Sequence, residues 1–195
     1  MLFLLTGCTS SRAGKEFGKA KVDGLITPCP GKINCPLPEE KKQGILAKLR
    51  GSGDPEAIKV ADAIENGKIK MYEMNDAVRE KYETYKGMGK DAIGLNIGNN
   101  IYIDPNVPDA VAAAHTAHEG THVFDKSPNQ TIADMLRREM KAFNKQADVW
   151  ETLKKQDPSL NDIQNDAIVK HRNNGTLEDA VKQGHEKLPR LKLLL

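Results

Sequence analysis

The sequence predicts a helix-rich α+β fold with a small β-hairpin or sheet. Three observations lead there. Apolar residues recur at three-to-four-residue spacing over most of the chain, and period-two alternation is confined to a few short runs between residues 68 and 104. One helical pattern, from 131 to 156, is longer than any other stretch of regular spacing. The 195 residues suffice for one sizeable core, while the 5% aromatic content and polar average suit helices with extended appendages. With 29 basic and 27 acidic residues the charge is nearly balanced, so electrostatics imply neither a nucleic acid nor an anionic membrane surface as partner.

The chain opens on a short apolar run that ends in Leu5, Thr6, Gly7 and Cys8, followed by small polar residues. This resembles a truncated bacterial lipoprotein signal with its lipobox, which would be cleaved before Cys8 and acylate its thiol. No other stretch is long and apolar enough to span a bilayer. Residues 9–38 are rich in Gly, Lys, Pro and Ser and read as a tether with little core. Setting Cys8 aside leaves Cys29 and Cys35 as an even pair, spaced to close a small loop as a disulfide; a structural zinc there is the weaker alternative.

From 38 to 49 a short amphipathic helix is expected, broken at Gly51-Ser-Gly-Asp-Pro55. A second helix follows from 55 to 65, with Asp54 as its cap and Ile58, Ala61 and Ile64 as its buried stripe. Asn66 and Gly67 turn the chain into a half-buried strand over 68–73, and 75–86 favours helix. Residues 92–104 hold two alternating runs hinged at Gly98-Asn-Asn100, the pattern of a hairpin.

Pro108 and Asp109 then start a helix filled with alanines, which contains His118-Glu119-Gly120-Thr121-His122. A helix turns about 100° per residue, so His118 and His122 project from one face a turn apart, with Glu119 beside them. Two neutral imidazoles suit Zn²⁺, and an adjacent carboxylate can move protons during metal-assisted hydrolysis.

After a tight connection at 126–130, the helix over 131–156 packs antiparallel to the metal helix. Ile132, Leu136, Met140, Phe143, Ala147, Trp150 and Leu153 form its core stripe. A catalytic zinc takes three protein ligands, and Glu139, two turns into this helix, is the third. His115 shares the face of His118 and His122 but lies a turn above them, so a place beside the metal or at the surface is expected for it and not a fourth ligand position. Asp125 either accepts the spare N–H of a ligand imidazole or caps the helix end. Two short helices, over 160–171 and 176–187, flank Asn173-Asn174-Gly175.

Over residues 95–155 the chain resembles the zincin metallopeptidases, and His118-Glu119-x-x-His122 with Glu139 resembles their gluzincin branch. That resemblance implies a zincin-like domain over 39–195, one Zn²⁺ on His118, His122 and Glu139, and Glu119 as general base and then general acid. It also implies that Tyr102 lies on an edge strand pairing with an extended substrate backbone. The interval from His122 to Glu139 is shorter than the family's usual one. An oxyanion-stabilising residue is expected beyond the third ligand, where His171, Arg172 and His185 compete, with Tyr102 as a further candidate. The function expected is zinc-dependent hydrolysis of a peptide or protein at the bacterial cell envelope, with membrane contact through lipidated Cys8. The alternative is a lipid-anchored binding or structural protein that keeps the helix without catalysis. Substrate identity and oligomeric state are not encoded in any recognisable pattern.

Overall fold

The computed structural model describes residues 32–86, 92–127 and 131–185. Within them the chain is α+β and helix-rich, in the order α1 (Glu39–Gly51), α2 (Pro55–Glu65), β1 (Lys70–Glu73), α3 (Asp76–Lys86), β2 (Gly94–Ile97), β3 (Asn100–Ile103), α4 (Asp109–Phe124), α5 (Ile132–Gln156), α6 (Ile163–Asn173) and α7 (Leu177–His185). Among the described residues no helix is long and apolar enough to cross a membrane. Cys8 and Cys29 lie outside the described residues, and so does the expected disulfide; Cys35 is buried.

Helix ends follow local chemistry. The Asp54 carboxylate accepts hydrogen bonds from the N–H groups of Glu56 (3.0 Å) and Ala57 (2.8 Å) and so starts α2. Thr131 and Asp134 cap α5 reciprocally, each side chain accepting from the other's backbone N–H. Asp162 starts α6 by accepting from the Asn165 N–H. The stripe of α2 differs from Ile58, Ala61 and Ile64: Ile58 is only half-buried, and the buried residues are Ala57, Val60, Ala61, Ala63 and Ile64. The helix is rotated because Val60 packs into the bare backbone of Gly120 on α4.

The sheet order is β1-β3-β2, with β1 parallel and β2 antiparallel to β3. The hairpin turns through Gly98 and Asn99, where Gly98 holds φ 62°, a left-handed conformation that glycine adopts without strain. One expectation is corrected here. Tyr102 is on β3, which is paired on both sides, so it is not on an edge strand. Residues before 39 also meet the sheet. The outer edge of β1 is closed by residues 35–37, where Leu37 N–H donates to Met71 C=O (3.2 Å) and Glu73 N–H to Cys35 C=O (2.8 Å). A strand edge carries unpaired donors and acceptors, and this segment of the expected tether satisfies them.

Helix α4 is the centre of the fold, with every residue from Ala110 to Thr121 buried. Helices α1, α2 and α5 and strands β2 and β3 all pack on it. A helix enclosed all round needs small side chains, and this is the structural use of its alanines and Gly120. A Cβ at Gly120 would fall 2.4 Å from Val60 Cγ2, and one at Gly44 on α1 would fall 2.0 Å from Asp109 Oδ2. The main core joins α1, α2, the sheet, α4 and the later half of α5; a smaller cluster of Phe143, Ala147, Ile168, Leu177 and Val181 joins α5 to α6 and α7.

Candidate metal centre

The antiparallel packing of α5 on α4 brings the expected ligands together. His118 and His122 face each other with their Nε2 atoms 3.2 Å apart. The Glu139 carboxylate reaches both, with Oε2 3.5 Å from His118 Nε2 and Oε1 3.4 Å from His122 Nε2. These three residues form the one group of three or more His, Cys, Asp or Glu side chains among the described residues whose ligand atoms could hold a metal ion. The group is enclosed: His118 is buried, and Glu139 and His122 are largely shielded.

The electrostatics are those of a paired cluster. Burial pushes the Glu139 carboxyl up, but His122 and His118 outweigh it and hold the group well below the usual carboxylate range. Burial lowers the His122 imidazole, while Glu139, with a smaller share from Glu119, raises it above its ordinary value. His118 Nδ1 is buried without a hydrogen-bond partner among the described residues, and its ring stands edge-on to Phe143 at 4.5 Å between centroids.

Glu119 is buried and lies against the start of β2. An ideal Cβ on Gly94 would come 3.1 Å from Glu119 Oε1 and 3.5 Å from Ile103 Cδ1, so Gly94 and Ile103 present the sheet face that meets α4. Side chains alternate along a strand, so Tyr102 points to the opposite face. There it stacks on Tyr72 (5.4 Å) and donates its hydroxyl to Asn34 Oδ1 (2.8 Å), away from Glu119. Arg172 is also engaged elsewhere: it pairs with Asp148 (2.6 Å) and Glu151 (3.2 Å), more than two turns of α5 beyond Glu139. His171 is hydrogen-bonded to Thr176 (2.9 Å) where α6 meets α7. His185 ends α7, and its side chain lies outside the described residues.

Asp125 caps the end of α4. Its Oδ1 accepts from the backbone N–H (2.9 Å) and hydroxyl of Ser127, and these bonds hold its carboxyl below the ordinary range. The adjoining Arg138 donates to the carbonyls of Asp125 (3.1 Å) and Ser127 (2.8 Å), which ties the exit of α4 to the start of α5 just before Glu139.

His115 is fully buried one turn before His118, and burial, with a smaller contribution from His118, pushes its imidazole down to about 3, so it is uncharged at neutral pH. Its Nδ1 lies 3.4 Å from Gln146 Nε2, placing His115 beside the ligand group on α4. Phe143 was expected in the core stripe of α5, and Gly94 and Gln146 are the site's neighbours that sequence patterns do not single out. The available signal is Gln146 alone, a polar residue inside the apolar stripe of α5. No family model, curated protein or solved structure matches this chain.

Proposed function

We propose that this chain is a zinc-dependent peptide-bond hydrolase of gluzincin-like design, held at the bacterial cell envelope through Cys8. The observation that carries the reading is the meeting of His118 Nε2 and His122 Nε2, 3.2 Å apart, with the two oxygens of one carboxylate, Glu139 Oε2 3.5 Å from His118 Nε2 and Oε1 3.4 Å from His122 Nε2; one ligand atom from each residue lies within 4.8 Å of the others. Tetrahedral zinc with nitrogen and oxygen ligands at roughly 2.0–2.2 Å spaces its ligand atoms about 3.3–3.6 Å apart, close to the separations found here. Two imidazoles and one carboxylate are the donor set of a catalytic zinc, which keeps a position for water or substrate. When bound, the ion supplies Lewis acidity for a carbonyl and eases the deprotonation of water.

The chain's own residues supply the rest. Glu119, next in sequence to a ligand and buried against Gly94, takes the proton from water as general base and returns it to the departing amine. Strand β2 is the place for an extended substrate. It has no strand on its outer side among the described residues. Asp104 N–H donates to Ile93 C=O at 2.9 Å, which makes Ile93 and Asp104 a bonded pair; the next pair, Gly94 with Ile103, is therefore unbonded. The N–H and C=O of Gly94 thus point to the open edge, beside Glu119, where a peptide backbone pairs by strand addition.

The test is metal content of the purified chain by elemental analysis, beside His118→Ala and Glu139→Ala, followed by a peptide-library screen with Glu119→Gln as control. One zinc in the parent and its loss in both ligand variants is the expected result. No metal after reconstitution with zinc at neutral pH overturns the hydrolase reading and leaves an anchored binding or structural protein as the account.

A further inference from the structure

The faces of α4 and α5 meet in three layers. Glu139 lies between His118 and His122; one turn on, Phe143 packs on His118; a further turn on, Gln146 meets His115. The first two layers belong to the ligand group and its support. The third is a second buried polar layer, set apart from the ligand group by Phe143, and the proposed chemistry does not use it. His115, Gln146 and Asn165 all have 0% exposure. A buried polar layer is costly unless its hydrogen bonds are made, and it is directional in a way that apolar contact is not.

Its polarity can be read from one end to the other. Asp162 Oδ1 accepts from the Asn165 backbone N–H at 2.8 Å as the cap of α6. The Asn165 side chain turns its amide nitrogen to the same oxygen at 3.0 Å, since the reversed amide would set two oxygens against each other. The Asn165 carbonyl oxygen therefore faces α5, where it accepts from Gln146 Nε2 at 2.9 Å. With its NH₂ group fixed as donor, Gln146 presents an N–H to His115 Nδ1 at 3.4 Å. Nδ1 is then the acceptor, and the His115 proton resides on Nε2.

We propose that the chain Asp162–Asn165–Gln146–His115 is a positioning device for the metal helix, which fixes the His115 tautomer and the rotation of α4 against α5 so that His118 and His122 face Glu139. The inference rests on the metal-centre reading for its functional consequence, but its structural core does not need a metal. Apolar packing limits the rotation of two helices by shape, and a hydrogen bond from Gln146 to one ring atom of His115 adds a directional constraint to it. His115 and His118 lie three residues apart on one face, so the setting of the first is the setting of the second. Through Asn165 and Asp162 the N-terminus of α6 becomes part of the metal site's support, although it contributes no ligand.

Two readouts test this. Long-range proton–nitrogen NMR correlation on the metal-free parent should show His115 with a protonated Nε2 and a bare Nδ1; the opposite tautomer overturns the proposal whether or not zinc binds. Zinc affinity is then measured by chelator competition for the parent, Gln146→Leu and the double variant His115→Leu/Gln146→Leu, with thermal melting alongside. The single change takes the Gln146 donor from both His115 Nδ1 and Asn165 Oδ1 and lowers the melting temperature. Replacing His115 as well recovers the His115 share of the loss, while Asn165 Oδ1 still lacks its donor. The expected result is zinc affinity about tenfold below the parent in the double variant although it is more stable than Gln146→Leu, the size of effect typical when support around a ligand is lost. Parent-like zinc affinity in a folded double variant overturns the positioning role. A parent that binds no zinc at all overturns the metal reading instead, and the tautomer result then decides the hydrogen-bond chain on its own.

Discussion

The Glu119 carboxylate occupies space that a side chain at position 94 would take: an ideal Cβ on Gly94 falls 3.1 Å from Oε1 and 3.3 Å from Cγ of Glu119. Gly94 is not among the residues with positive φ, so alanine suits its backbone and the conflict is with the carboxylate alone. Gly94→Ala should push Glu119 by a few tenths of an ångström. Proton transfer depends steeply on such placement, so turnover should fall by about tenfold or more with zinc content unchanged. Paired kinetic and metal measurements check this; parent-like turnover shows that Gly94 does not set the carboxylate.

Gly120, inside the histidine motif, answers to packing and not to chemistry. Its missing side chain admits Val60 of α2, whose Cγ2 and Cγ1 would lie 2.4 and 2.7 Å from a Cβ there. Val60 is buried and stiff, and Gly120→Ala should destabilise the fold by about 1–3 kcal/mol. The loss should shrink when Val60→Ala is added, since the smaller residue vacates the space. Urea unfolding of the two single variants and the double measures the coupling. Strict additivity would show that the two positions do not compete for volume.

The elements and the grouping of the candidate ligands were legible in the sequence for different reasons. The 3.6-residue periods, Asp54, Pro108 and the Gly98 turn act over a few residues, so helices and hairpin appear close to their expected bounds. Glu139 was legible because a short connection forces an antiparallel return at a predictable offset. Sheet order was not: placing β3 between β1 and β2, and residues 35–37 along β1, depends on which backbone edges need partners, and residue pattern alone does not specify that. Gly94 and Gln146 escaped for a similar reason. Each matters through a residue distant in sequence, Glu119 and Asn165, and neither belongs to a periodic pattern that points to that partner.

Glu119 and Glu139 should separate cleanly by substitution. Glu119→Gln keeps the shape beside Gly94 but cannot accept a proton, so turnover should fall about 10²–10⁴-fold while zinc stays bound. Glu139→Ala takes away the oxygen partners of both imidazoles, and zinc affinity should fall along with turnover. Zinc content measured beside turnover distinguishes them. Unchanged metal in Glu139→Ala would remove it from the ligand set.

Acid stability should depend on a pair far from the candidate metal centre. Lys145 of α5 lies 2.6 Å from Asp54 Oδ2 and 3.3 Å from Glu56, and so joins α5 to the start of α2. Burial raises the Asp54 carboxyl, but Lys145 and the N–H groups of Ala57 and Glu56 outweigh it and leave it below its ordinary value. A carboxyl depressed by folding contributes stability above its unfolded pKa of about 3.9, and the contribution is lost as pH falls through the lower folded value. Burial depresses the Lys145 ammonium, while Asp54 and Glu56 raise it above its ordinary value, so its own contribution is present below about 10.4 and disappears only in strong alkali. Asp54→Asn isolates the charge, because asparagine caps a helix as well as aspartate does. The pair is partly solvated, and the variant should lose about 0.2–1 kcal/mol at neutral pH. That difference should shrink as pH falls below about 4 and vanish below the lower folded value, where the parent's carboxyl takes up its proton and matches the neutral amide. Urea melts of both proteins from acid to neutral pH measure it, and a deficit that persisted in strong acid would show that Asp54 acts through its cap geometry and not through its charge.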